Sequence, residues 1–329
     1  MIPRIRRPLV LSGLLAALLA PPAFGAAGAG DYPSRPIRVL VPFAPGGVVD
    51  TSARIVTVKI AERLGWQFVI DNRPGGNGFI AVQITAKATP DGYTLLMAHT
   101  GEFAVNPAVF KNVPYDLERD FTPIGLVSEN PMVILASAQS PITTFKDLIA
   151  QAKANPGKIA FSSPGTGSIN HLAGEWLGMA AGVKLLHIPY KGGAPAAAAV
   201  AAGEIPLGVV ALPGAIPHLK SGRVKVVGVT TARRSQYDTS WITAREAGIP
   251  DVDAGNWVGL FAPKGTPKAV IDRINGEVLK VLALPDVRTR FTDTGVEPGG
   301  STPAEFLARI KQDAARFKKV VEAAGVKTE

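Results

Sequence analysis

The chain has 329 residues, 47% of them hydrophobic and 19% charged, with no cysteine and a formal net charge of +9. The lack of cysteine excludes disulfide staples, thiolate metal sites and a lipid-modified N-terminal cysteine. The basic residues are scattered, without the aromatic-interleaved stripe of a nucleic-acid binder, so nucleic acid is not an expected partner. Such a length supports two domains held together by their own cores.

The first residues read as an export signal. Arg4, Arg6 and Arg7 make a positive start, Leu9 to Ala20 an apolar run, and Pro21 and Pro22 break it. Small residues from Ala23 to Gly30 suit a signal peptidase. The apolar run is shorter than the roughly 20 residues of a bilayer span. Residues 1–29 are therefore expected to be cleaved and the rest to be a free protein in a bacterial periplasm.

Strand-like and helix-like stretches then alternate. Ile37 to Val41 is a strand, and Thr51 to Leu64 carries Ile55, Val56, Ile60 and Leu64 along one helical face. The turn Ala44-Pro-Gly-Gly-Val-Val-Asp50 joins them. Gln67 to Asp71, the next strand, enters Asn72-Arg-Pro-Gly-Gly-Asn-Gly78 and a helix from about Phe79 to Ala88. Pro90 to Tyr93 turns into a third strand, Thr94 to Ala98.

The plan restarts with a strand at Met132 to Ala136 and a threonine-capped helix from Thr144 to Ala154. Ile159 to Phe161 leads into Ser162-Ser-Pro-Gly-Thr-Gly-Ser168 and a helix from His171 to Ala181. Leu185 to Pro189, Leu207 to Ala211 and Val224 to Thr230 are further strands. Tyr190-Lys-Gly-Gly-Ala194 opens an alanine-rich helix reaching Ala202. After a strand at Trp257 to Ala262, helices at Pro267 to Leu284 and Pro303 to Ala324 end the chain. Having no sheet of their own, these two are expected to return to the first lobe.

The expected fold is α/β with two lobes, each a mainly parallel sheet flanked by helices. Residues 30–130 and 255–329 form the first lobe and 131–254 the second. Two crossings, near Val127 to Pro131 and Ala254 to Gly259, make a hinge.

Each of the four glycine turns ends a strand and opens a helix. That junction leaves unpaired backbone N–H groups, and the helix dipole favours an anion there. With two turns in each lobe, both are expected to offer donors to one small anionic ligand. The candidates are Pro45, Gly46 and Gly47 in the first turn, Gly75, Gly76, Asn77 and Gly78 in the second, and Ser163, Thr166, Gly167 and Ser168 in the third. Phe43 is assigned to the wall, and Asp50 to ordering its loop, since a carboxylate repels an anion. Tyr190 and Lys191 flank the fourth turn, where Lys191 can add charge. His171, in a first helical turn, is expected to be neutral and supporting. Trp257 is assigned to packing at the hinge. No catalytic residue, cofactor or metal site is assigned; His99, His187 and His218 lack metal-ligand spacing.

Several longer motifs carry a family likeness: Val41-Pro-Phe-Ala-Pro-Gly-Gly47 with Asp50, Asn72-Arg-Pro-Gly75 with Gly78, and Pro90-Asp-Gly-Tyr-Thr-Leu-Leu96. Asn106-Pro107, Pro114-Tyr-Asp116 and Asp120-Phe121 continue it, as do Ser163-Pro-Gly-Thr-Gly-Ser168 with His171-Leu-Ala-Gly-Glu175, His187-Ile-Pro-Tyr-Lys-Gly192 and Gly259-Leu-Phe-Ala-Pro-Lys-Gly-Thr-Pro267. In number and order they resemble the periplasmic solute-binding receptors of tripartite tricarboxylate transporters, the Bug family. The resemblance implies a periplasmic-binding-protein-like clamshell that holds a small carboxylate by backbone N–H groups and bridging waters. It also implies delivery to a separate membrane permease; the receptor is expected to be a monomer. Ala81 stands where the family's second loop usually has another glycine. Ala199 and Ala211 stand where relatives often carry acids, which points away from an amino-acid ligand and toward a carboxylate with an uncharged or apolar body.

Rival readings are weaker. Gly76-Asn-Gly-Phe-Ile-Ala81 fits a dinucleotide fingerprint, but no acid ends the following strand. Ser163 and Ser168 lack the glycines of a nucleophile elbow. A ligand sensor acting through a signalling partner stays open as an alternative to uptake.

Overall fold

A computed structural model describes residues 32–326, so the export signal expected at 1–29 lies outside the described residues. Strand β1 (Ile37–Val41) leads into helix α1 (Val48–Leu64). Strand β2 (Phe68–Asn72) passes through a 3-10 turn (Gly76–Gly78) into α2 (Phe79–Ala86). Strand β3 (Thr94–His99) meets a π-helical turn (Gly101–Val105), then short helices α3 (Asn106–Val109) and α4 (Leu117–Asp120) and the long strand β4 (Phe121–Asn130). The second part holds β5 (Met132–Ser137), α5 (Phe145–Ala154), β6 (Ala160–Ser163), α6 (Ile169–Ala180), β7 (Leu186–Pro189), α7 (Gly193–Ala201), β8 (Leu207–Ala211), α8 (Leu212–Lys220) and β9 (Val224–Val229). The chain closes with β10 (Asn256–Pro263), α9 (Lys268–Leu282), α10 (Pro285–Asp293), β11 (Glu297–Pro298) and α11 (Pro303–Ala324).

Two sheets result, ordered β11-β4-β10-β3-β1-β2 and β7-β6-β8-β5-β9. The two-lobed α/β class stands, but the strand sense needs correction. Only β1–β2, β1–β3, β6–β7 and β6–β8 are parallel. Strands β10 and β11 run antiparallel to their partners, as β5 does to β8 and β9. The physical reason is connection. Strands β5 and β10 enter from the opposite sheet without a helical crossover, so nothing imposes parallel pairing on them.

Strand β4 and helix α8 escaped the sequence reading because prolines disguise both. Pro123 and Gly125 break the β4 pattern, yet β4 pairs with β10 along its length. Helix α8 holds one proline in its first turn and Pro217 inside. Elsewhere local chemistry decided the ends. Thr144 and Asp147, and Thr302 and Glu305, form capping boxes that start α5 and α11.

The chain passes between sheets at Pro131 and again just before Asn256. There Asn130 Nδ2 donates to the Asn256 carbonyl at 3.1 Å. Helix α11 packs on β4 and the π-helical turn, but also on α6 of the second part, where Phe317 meets Trp176 edge-on at 6.1 Å. The last helix therefore touches both lobes rather than only the first. Trp257 is buried as packing; its Nε1 donates to Asp313 Oδ2 at 3.0 Å and its ring meets Phe306 at 5.1 Å. Among the described residues no helix is long and apolar enough to cross a membrane.

Candidate functional site

Loops from both sheets open onto one cavity of about 650 Å³. The first sheet contributes Phe43, Pro45, Gly47, Asn77, His99 and Asn106. The second contributes Thr166, Gly167, Ser168, Asn170, Lys191 and Gly192, and Asn256 joins them from the second crossing. Among the described residues no Asp or Glu lies on this wall. A similar hollow of about 690 Å³ around Lys225 and Trp241 contains none of the glycine turns. The helix start beside it, that of α5, already has its donors taken by Thr144. The first cavity is thus the one that the glycine turns line.

Three helices start on its wall. Helix α1 begins at Gly47, whose extended backbone (φ −73°, ψ 169°) carries no side-chain cap. Helix α7 begins at Gly192, also without a side-chain cap. Uncapped starts leave N–H groups for water or a ligand. Helix α6 differs: Ser168 Oγ accepts the His171 N–H at 3.2 Å, and the Gly167 N–H donates to His171 Nδ1 at 3.1 Å.

Other candidates stand one layer behind. Asp50 is buried, its carboxylate accepting from Arg54 (2.8 Å), the Asn72 amide (2.9 Å) and the Gly46 N–H (2.9 Å). Burial pulls its pKa up, but the Arg54 bond, the Gly46 and Asn72 bonds and the Arg54 charge outweigh it, leaving the carboxyl below its ordinary range. Its charge is spent on bracing the loop. Gly46 is exposed with its N–H committed to Asp50. Asn77 reaches the wall in a left-handed conformation (φ 51°), between Gly76 and Gly78. Gly75 and Gly76 lie off the wall, beside Ile80 and Phe79. Gly78 (φ 89°) backs onto Glu102, where a Cβ would come within 2.6 Å of Oε1.

Buried Ser163 and His171 and half-buried His187 form a brace under the third loop. The His171 and His187 rings stack at 3.7 Å, and Ser163 Oγ lies 2.6 Å from His187 Nε2. Burial first, then the His171 charge, push His187 down to about 4, against a smaller upward pull from Glu175, so it is neutral near pH 7. Tyr190 packs half-buried against the second sheet's core. The structure thus puts Phe43, Pro45, Gly47, Asn77, Thr166, Gly167, Ser168 and Lys191 on one wall, and Gly46, Asp50, Gly75, Gly76, Gly78, Ser163, His171 and Tyr190 off it.

Wall residues with polar side chains that were not site candidates in the sequence are His99, Asn106, Asn170 and Asn256. Their one sequence signal was position: His99 ends a strand, and Asn256 follows a crossing. Ala199 and Ala211 are not on the wall, so their missing acids do not bear on ligand contact there. The absence of any carboxylate from the wall disfavours an amine more directly.

Residues 52–326 match the family model described as the tripartite tricarboxylate transporter family receptor. The chain belongs to that family. Its structure is similar to the R. palustris protein Rpa4515 with adipate, at 34% identity and TM-score 0.81, covering 90% of this chain and 99% of that one. It is similar to the periplasmic binding protein BugD at 35% identity and TM-score 0.76, covering 90% and 100%. MatC from Rhodopseudomonas palustris with bound malate gives 32% identity and TM-score 0.76, covering 88% and 100%. The receptor fold and its family are therefore those of carboxylate-binding, periplasmic solute receptors.

Proposed function

We propose that this receptor captures a small organic carboxylate between its lobes in the periplasm and delivers it to a membrane permease. One observation carries the reading: the uncapped starts of α1 and α7 face a shared cavity from opposite sheets, on a wall free of acidic side chains. Opposed N–H clusters satisfy the oxygens of a carboxylate without a buried countercharge. The adipate and malate held by structural relatives support that class of ligand. Residues 131–254 close on residues 30–130 and 255–329 about the two crossings, and a monomer suffices because both halves of the site come from one chain. The receptor performs no catalysis; Ser163, the serine beside a histidine, is wholly buried and out of reach of a substrate.

Native mass spectrometry of gently purified protein should find a co-purified carboxylate, and calorimetry should then give one site per chain. Small-angle scattering should show a smaller radius of gyration with that ligand. A chain that binds no organic acid, or binds one at the Lys225–Trp241 hollow, would end this reading.

A further inference from the structure

Among the described residues two titratable side chains reach the cavity wall, His99 from the first sheet and Lys191 from the second. The His99 imidazole meets the Phe43 ring in a tilted contact, centroids 4.7 Å apart, and is mostly buried, its side chain 18% exposed. Its Nδ1 lies 2.8 Å from Glu102 Oε2, while the Gly101 N–H points at the same nitrogen from 3.0 Å. Two bare acceptors at 2.8 Å would repel, so a proton is shared between ring and carboxylate at the nitrogen that the Gly101 N–H also approaches. Glu102 is fully buried; Oε2 also takes the His99 backbone N–H at 2.8 Å, and Oε1 has no partner at all. A carboxyl group so deep needs a shared proton or a cation beside it, and the ring is the group present.

With Nδ1 turned to Glu102, the ring edge bearing Nε2 is left for the cavity. No protein group among the described residues hydrogen-bonds Nε2. We propose that His99 is a further ligand-binding group of the cleft, reading a second acidic group on the ligand, with Glu102 as the positioning residue that holds its ring. This rests on the receptor reading above and narrows its ligand to acids with two anionic groups. One is met by the helix starts and the other by His99, with Lys191 facing it across the cleft.

Other charges near the ring are already engaged. Asp50 holds Arg54 at the α1 start, and Asp313 holds Arg309 on α11 behind the π-helical turn, with Arg316 3.7 Å away. Strand β10, paired to His99 through Val258, brings no charged residue. Glu102 therefore sets the protonation of the ring. Burial opposes the charged form, but the Glu102 charge and hydrogen bond win, and the His99 pKa is raised. A doubly protonated ring donates from Nε2; the singly protonated ring keeps its proton toward Glu102 and presents a lone pair that repels a carboxylate.

The test uses the full mature chain, its His99→Gln and Glu102→Gln variants, and four probes. These are adipate with hexanoate, and malate with 3-hydroxybutyrate, each pair differing by one carboxylate. Calorimetry across the His99 titration should show the better diacid bound about tenfold or more above its monoacid partner. That preference should fade as pH rises and be flat with pH in His99→Gln. Ring NMR of the ligand-free protein, assigned with His99→Gln, should place the His99 titration above the usual 6.5, and lower in Glu102→Gln. Equal, pH-independent binding of mono- and diacids would overturn this inference and leave the receptor reading standing. A ring titrating at or below the ordinary histidine value would overturn it without reference to any ligand. Failure of all four acids to bind, with no carboxylate co-purifying in native mass spectrometry, would sink both.

Discussion

The first and third glycine turns follow one sequence plan, strand to glycines to helix, yet they end in different chemistry. At the first, Gly47 opens α1 with no side chain over its amides, and the nearby acid, Asp50, faces away toward Arg54 and Asn72. At the third, Ser168 caps α6, Gly167 donates to His171, and Ser163 leans on His187. One turn keeps its donors open and braces itself with an ion pair whose acid is buried and whose arginine is half exposed. The other uses donors to brace itself and offers mainly hydroxyls and shape. A glycine-rich strand–helix junction is therefore an anion site only where no neighbouring side chain has already answered its N–H groups.

The most severe way to break this contrast is to make the first turn resemble the third. Gly47→Asp fits the existing extended backbone, and its Cβ would meet only the Ala44 carbonyl at 3.6 Å. Its carboxylate would cap α1 and place negative charge where the ligand's should sit. We expect carboxylate affinity by calorimetry to fall about 100-fold while the melting temperature holds or rises. A variant that binds as well as the parent would mean that the α1 start is not the anion site.

Removing the brace of the first turn comes next. Asp50→Ala takes away the acceptor shared by the half-buried Asn72 amide, the Gly46 N–H and Arg54, and Arg54, half exposed, turns to water. Urea denaturation should show a loss of about 2–3 kcal/mol, with weaker ligand binding as the loop loosens.

The brace of the third turn is sensitive to acid. His187 has its pKa lowered to about 4 in the folded protein, against 6.5 when unfolded. Above pH 6.5 both states are neutral and nothing changes. As pH falls from 6.5 toward 4, the unfolded chain takes up a proton that the folded one refuses, so stability declines, and the loss levels off below about 4. Denaturation curves should lose on the order of 2 kcal/mol across that window, and His187→Asn should flatten the profile.

The smallest effect should come from His171→Phe, which keeps a stacked ring but removes the acceptor of the Gly167 N–H. A cost of about 1 kcal/mol in denaturation is expected, with affinity altered only severalfold, because the freed amide can turn to the ligand.

Much of the fold was legible. The strands at Ile37–Val41, Thr94–His99 and Leu207–Ala211, and the helix Pro303–Ala324, follow from apolar periodicity, threonine caps and glycine stops. Strand β4 was not, since Pro123 and Gly125 read as breakers until β10 supplies a partner. At the site, Gly47, Thr166 and Lys191 could be picked from their turns. His99 could not, because a histidine at a strand end declares nothing until Glu102 is buried against it and Phe43 packs at a tilt beside its ring.

By itself the sequence determined where strands turn through glycines into helices, because periodicity, caps and left-handed backbone are settled within a few residues of chain. Only the tertiary structure decided which of those helix starts stay open, which way β5 and β10 run, and which histidine meets the cleft. Those outcomes depend on partners brought from far along the chain, whose burial sets both the hydrogen bonds left over and the charges that survive.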